Sequence, residues 1–413
     1  MEKAVGCISG TSRKRKLPQE GNDMLNFSLD ELTDDLLERV LSWLPTSKYF
    51  HLGSVCKRWK SVAASESFKL ACSRIPSREP LFFMVDPNLD RSVVFDSAER
   101  SWKKLNHRPL PSNNCNCDSI PVAAAGGLVC FRNMSGDYFV CNPVTGLCRE
   151  LPPVNLDSHD RPLHGIAMTS YSNYHGYYKL VLVSGDLSKL SFRVYNSSAD
   201  CWEEEILLRR KTDDCKEFNS TDDNNDAVYF LSKAGNVVAT NMQRNPSKQY
   251  SSVITFKDGE EIVYFLSSTG TVVACNLTQK HFSEYPRLLP VSFEYSIDVV
   301  ECKGEMLVVM LSEFFESASL RVWRFDEKTK TWNQIASMPP AMSHEFYGKK
   351  VDVNCVGAGD QIFICLSSAE LCSYVLCDIV ANEWVELPKC CMNGEAMDFM
   401  SAFSFEPRIE ASV

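Results

Sequence analysis

The amino-acid sequence predicts a mainly β protein led by a small N-terminal α-helical module, with the β part closed into a propeller of seven blades, six being the alternative. Three observations predict it. Two amphipathic helical stripes lie within residues 26–72. From about residue 81 the pattern changes to many short apolar runs of β type separated by turn residues. Through that region an Asp or Asn recurs, followed six residues later by a bulky position. Many short strands argue for a sandwich, barrel or propeller, and the internal repeat selects the propeller.

Composition sets the frame. The 413 residues are 44% hydrophobic and 23% charged, ordinary for a globular protein, with a formal net charge of −10. No basic domain recommends a nucleic-acid partner. No apolar run approaches the roughly 18 residues of a membrane span, so no membrane partner is expected. The first residues lack the apolar core of a signal peptide. The expected location is nucleus and/or cytoplasm, where thiols stay reduced. That bears on the 18 cysteines. No C-x-x-C pair occurs, and Cys115/Cys117 and Cys390/Cys391 are too closely spaced for a usual zinc knuckle. Cys130, Cys141, Cys275, Cys365 and Cys377 fall inside apolar runs, where cysteine behaves as a small buried hydrophobe. Neither a metal nor a cofactor is expected.

Residues 1–25 read as a disordered tail without hydrophobic period. Within it Arg13, Lys14, Arg15 and Lys16 form a compact basic run, either a nuclear-import signal or a solvated charge cluster. In the helical module Leu36, Leu37, Val40, Leu41 and Leu44 make one stripe, and Pro45 stops that helix. A second stripe runs through Leu52, Val55, Cys56, Trp59 and Val62. A module this small gains stability by docking on something, or it is an ordinary helical hairpin packed on the rest of the chain. Residues 73–80 read as a proline-punctuated linker.

The stretch from Leu32 to Pro45, followed by Ser54-Val55-Cys56-Lys57-Arg58-Trp59, resembles the F-box, with two separated blocks matching in residue type and spacing. Thr33 stands where that family usually has proline; threonine can cap a helix instead. The resemblance implies docking on a Skp-type adaptor, and through it a cullin, by Leu32, Leu36, Leu37, Val40, Leu44, Pro45, Val55, Cys56 and Trp59. Both stripes are apolar, so the sequence does not separate core positions from docking positions.

Over 81–410 the repeat reads Asp96/Trp102, Asn142/Cys148, Asn196/Trp202, Asn276/Phe282, Asp326/Trp332 and Asp378/Trp384, with Asn241/Ser247 a degenerate seventh copy. Asp or Asn tolerates the tight turn between the last two strands of a blade, and tryptophan packs between neighbouring blades. Residues 227–241 nearly repeat as 262–276, an offset of 35 that is short for a four-stranded blade. The unit resembles a degenerate kelch repeat, with a single double glycine, Gly126-Gly127. F-box and propeller together resemble plant F-box/kelch proteins.

No nucleophile elbow, phosphate loop, dinucleotide fingerprint or H-E-x-x-H motif occurs, and the seven histidines do not pair at metal-ligand spacing. The acidic loop 213–226 lacks the glycine and terminal glutamate of a calcium loop. The run Tyr171–Tyr178 is either a target contact or blade packing. The resemblance implies a non-catalytic subunit of a Skp–cullin–F-box ubiquitin ligase, its propeller holding a target protein for ubiquitination. The alternative is a non-ligase scaffold or a small-ligand-binding propeller.

Overall fold

The computed structural model describes residues 32–45, 48, 55–85, 93–105, 119–154, 161–170, 177–211, 229–231, 237–239, 250, 252–267, 270–288, 295–314, 316–392, 394–399 and 401–413. The basic run at 13–16, the tyrosines at 171 and 174, the acidic loop and Asn241/Ser247 lie outside them.

Among the described residues three helices come first: Asp34–Ser42, Lys57–Ala63 and Glu66–Ser73. Each start is held differently. Thr33 stands at the first N-cap, but its hydroxyl makes no capping bond. Asp34 and Asp35 in the first turn face the helix dipole instead, and Asp34 Oδ1 accepts from Arg58 Nε at 2.9 Å. Cys56 Sγ caps the second helix through Trp59 N, and Ser65 Oγ caps the third through Phe68 N at 3.1 Å. Glu38 Oε1 accepts from Ser65 and Ser67 hydroxyls at 2.9 and 2.6 Å, pinning the third helix to the first. The sequence reading missed this third helix, whose signal was the Ser65 cap with Phe68 and Cys72 four apart.

Six mainly antiparallel sheets of four or more strands follow among the described residues, each running outward from an inner strand. The inner strands Ile120–Ala125, Leu163–Ser170, Ser252–Lys257, Tyr295–Cys302, Asp352–Ala358 and Ser401–Phe405 touch in that order and close back on the first, forming a ring. Closure is made by the C-terminal strand. Ser401–Phe405 pairs with Leu81–Val85, the first strand after the helices, so one blade is built from both ends of the propeller.

The expectation of seven blades is thereby corrected to six. Residues 262–276 lie in two strands of a full blade, whereas the earlier copy contributes a two-stranded hairpin, Tyr229–Leu231 with Val237–Ala239. An offset of 35 residues does not leave room for four strands and their turns.

Six apolar cores lie at the six seams between blades. Strands in the middle of a blade therefore have both faces covered, which is why they read as continuous runs such as VVFD and VVACN, buried throughout. Outer strands such as CRE and HFSE carry the polar surface.

The recurrent Asp or Asn has one job in each blade. Its side-chain oxygen accepts backbone N–H groups two or three residues on: Asp96 from Glu99, Asn142 from Val144, Asn196 from Ser198, Asn276 from Gln279, Asp326 from Lys328 and Asp378 from Val380, all at 2.8–3.0 Å. These bonds hold the Asp326 carboxyl below its ordinary range. Four residues after each comes a left-handed residue: Arg100, Gly146, Asp200, Lys280, Lys330 and Asn382, with φ between 46° and 75°.

The aromatic at the sixth position then reaches the neighbouring blade. Trp102 Nε1 donates to Pro388 O at 2.9 Å, Trp202 to Pro152 O at 2.7 Å and Trp332 to Pro286 O at 2.7 Å. Each acceptor lies just past the outer strand of the preceding blade. Trp384 instead bonds its own turn at Asn382. Of the four tryptophans Trp384 alone is buried; the other three are half-buried, because a ring at a blade edge gives its N–H to a rim carbonyl. Asn142 and Asn276 are buried, and in the second blade Cys148 replaces the aromatic and forms a disulfide with Cys141 directly across the strand pair, which corrects the expectation of a free thiol at Cys141. The remaining buried thiols behave as hydrophobes: burial pushes Cys130 and Cys275 well up, and Cys377 to about 12.

Candidate docking surface and target face

The helical module divides its apolar stripe in two. Leu37 and Leu41 are buried against Val62, Ala63, Phe68 and Cys72. Leu32, Leu44 and Trp59 are half-buried and pack against the same cluster. Leu36 and Val40 on the first helix and Trp43 at its C-cap, spaced i, i+4 and i+7, remain 47%, 47% and 70% exposed. Pro45, Val55 (58% exposed) and Cys56 are also exposed. Arg58, through Asp34 and the carbonyl of Leu32, ties the start of the second helix to the start of the first. The other large exposed apolar side chains among the described residues are scattered, most of them in propeller turns and connections. A row of apolar side chains on one helix face is a different object, with the geometry of a surface that another protein covers. The sequence reading had Leu36 and Val40 but missed Trp43, whose spacing from Leu36 was the available signal.

This module does not swing free of the propeller. The cluster that holds Leu37 and Leu41 continues without a break into Leu81, Phe83, Val94, Phe131, Phe405 and Ile409. Arg78 donates to Ser42 O at 3.1 Å and Leu44 O at 3.3 Å, satisfying carbonyls at the end of the first helix. Lys48 pairs with Glu99, in a turn of the first blade, at 2.9 Å. Glu99, bonded by Lys103 and Lys48, is held down to about 2. The linker expected at 73–80 is an anchored segment.

The two faces of the ring differ. Strands alternate in direction, so turns after the first and third strands of every blade share one face, and the helical module and the C terminus emerge there. That near face is made largely of tight turns, including Gly126-Gly127, Asp258-Gly259 and Lys303-Gly304, with both residues left-handed as a two-residue hairpin requires. On the opposite face the chain passes from the outer strand of each blade to the inner strand of the next, and 338–351 is such a connection described throughout. It carries the short helix Pro340–Ser343, and another connection the hairpin Cys390–Met392 with Glu395–Met397. Tyr178, part of the tyrosine run, is buried and belongs to blade packing. His164 stacks on Phe265 at 5.3 Å and bonds Gly185 O at 2.5 Å, a seam contact. No cluster of three or more His, Cys, Asp or Glu gathers at metal-holding distance among the described residues.

Helical handle and propeller define an F-box protein with a β-propeller. Residues 29–71 match the F-box domain, and residues 94–350 match the KIB1-4 β-propeller. The chain belongs to the plant F-box proteins with a propeller of the KIB1-4 type. It is 52% identical to F-box only protein 13 of Arabidopsis thaliana over 97% of this chain and 90% of that one. It is 25% identical to F-box only protein 6 of the same plant over 87% and 69%, and 24% identical to Protein UNUSUAL FLORAL ORGANS over 88% and 79%. The propeller that matches is of the KIB1-4 type, which takes the place of the looser kelch resemblance.

Proposed function

We propose that this chain is the target-recognition subunit of a Skp–cullin–F-box ubiquitin ligase, carrying no catalytic group of its own. The outward row Leu36, Val40 and Trp43, on the helix matched by the F-box, carries this reading. It offers apolar anchors to a Skp-type adaptor, and the adaptor links to a cullin. The propeller holds a protein target so that its lysines meet a ubiquitin-charged enzyme; proximity is the whole contribution. Affinity recovery from plant extract tests it. The wild-type chain brings down a Skp-type adaptor and cullin; failure where another F-box protein succeeds refutes the reading.

The target-holding surface in this reading is the face opposite the F-box. Long connections on a rigid ring are where binding specificity is built, and a target held there stays clear of the adaptor. Met134 is 79% exposed between the second and third strands of its blade, and Tyr347 is 37% exposed in the 338–351 connection, both on that face. Met134→Ala with Tyr347→Ala lowers recovery of proximity-labelled targets several-fold and leaves adaptor recovery unchanged. Unchanged target recovery removes this pair from the surface.

The basic run Arg13–Lys16 serves as a nuclear-import signal in the same reading. Changing all four residues to alanine reduces nuclear fluorescence of a tagged chain; an unchanged distribution refutes the role.

A further inference from the structure

The last eight residues do something the ring does not require. Closure ends at Phe405, yet residues 406–413 continue across the near face and are held there at several points. Asn142 Nδ2, in the third turn of the second blade, donates to Arg408 O and Ala411 O, both at 2.9 Å. Ala411 and Val413 pack on the seam between the second and third blades. Ile409 inserts into the cluster that holds Leu37, Leu41, Phe68 and Cys72 of the F-box. Arg408, only 14% exposed at its side chain, reaches back to the segment joining F-box and propeller. It donates to Ile75 O at 3.2 Å and Pro76 O at 3.0 Å. Its charge is met by Glu406 Oε2 at 2.7 Å and Glu410 Oε1 at 3.1 Å. One guanidinium thus joins two backbone carbonyls and two carboxylates, a task for a planar five-donor fork that lysine does not perform. Gly127 makes room: a Cβ there would stand 2.8 Å from Arg408 Cβ and 2.9 Å from Glu406 O.

We infer that residues 406–413 are a strap that locks the F-box onto the propeller, with Arg408 and Ile409 as positioning residues for ubiquitin transfer. The positioning role rests on the ligase reading above; the lock does not. Arg78 fastens the joining segment to the F-box, Arg408 fastens the same segment to the strap, and Asn142 fastens the strap to the ring. An apolar core alone tolerates sliding. Directional bonds to Ile75 and Pro76 fix one angle, and in a proximity device that angle determines which lysines come within reach.

The test uses the full-length chain. Trypsin cuts after Arg74 and Arg78, which flank Ile75 and Pro76, and mass spectrometry follows the two cuts. Wild type is cut slowly there. Arg408→Ala, Arg408→Lys and Ile409→Ala each speed those cuts at least tenfold, while tryptophan fluorescence shows the propeller folded. Gly127→Ala, acting from the ring side, does the same. Unchanged cleavage in folded Arg408→Ala and Ile409→Ala chains overturns the lock. For positioning, the probe is the chain's own lysines in a reaction reconstituted with adaptor, cullin and charged conjugating enzyme. Wild type acquires ubiquitin at a restricted set of lysines, and Arg408→Ala spreads it over a broader set. An identical pattern in a chain whose joining segment has become cleavable overturns the positioning role. A chain that recovers no adaptor but keeps its joining segment protected sinks the ligase reading and leaves the lock standing.

Discussion

Leu36→Ala, Val40→Ala and Trp43→Ala combined abolish recovery of the Skp-type adaptor while the chain keeps its wild-type melting temperature. All three side chains face outward and make no part of the core around Leu37 and Leu41. Buried anchors at an interface each often cost about 2 kcal/mol or more when truncated. A single loss of that size weakens binding roughly thirtyfold, and three on one helix face exceed it even without additivity. Trp43 is the largest of them and, at 70% exposure, has the most surface to cover. The contrasting change is Leu37→Ala. That side chain is fully buried, so its removal costs about 2–5 kcal/mol of folding stability. Because the same cluster contains Phe83, Phe131 and Phe405 of the propeller, the loss also lowers the melting temperature of the intact chain. Binding by surface plasmon resonance and melting by circular dichroism separate the two outcomes. Adaptor affinity within threefold of wild type for the triple variant would exclude this helix face as the docking surface.

Gly357→Ala has the largest expected effect on the fold. Gly357 lies on the inner strand of the last blade before closure, and a Cβ there would stand 1.8 Å from Glu301 O on the inner strand of the neighbouring blade. Both partners are backbone, so no rotamer relieves the overlap. Retreat is blocked because the ring is closed: moving Asp352–Ala358 away from Tyr295–Cys302 presses it on Ser401–Phe405. The seam also carries buried directional bonds, including Asp298 Oδ2 accepting from Cys355 N at 2.7 Å. The expected cost exceeds about 4 kcal/mol, in the range of severe steric and network disruption, and the variant accumulates as insoluble protein. Gly359, two residues on, is the control. It has φ +59°, and a Cβ added there would meet nothing within 4 Å, so alanine costs only the left-handed conformation, about 1–2 kcal/mol. A soluble Gly357→Ala chain melting within a few degrees of wild type would show that the blades are not in contact at this point.

The sequence by itself determined the parts whose cause is local. An Asp or Asn closing a turn on its own backbone needs only its next few residues, so all six such positions were readable from spacing. The same holds for the helical stripes and for continuous apolar runs. The left-handed residue at the fourth position was not readable, because Arg, Gly, Asp, Lys and Asn occupy it in turn; the turn imposes the conformation on whichever residue stands there. The tertiary structure alone decided everything that depends on a partner remote in sequence. It sent Leu37 inward and Leu36 outward on a helix where both are leucine. It gave the N–H groups of Trp102, Trp202 and Trp332 their acceptors, 46 to 286 residues away. It reduced seven blades to six, because a repeat in sequence becomes a blade only when four strands find room around the ring. And it turned the chain's last residues into a bridge to its first domain, since ring closure brings residue 405 beside residue 81.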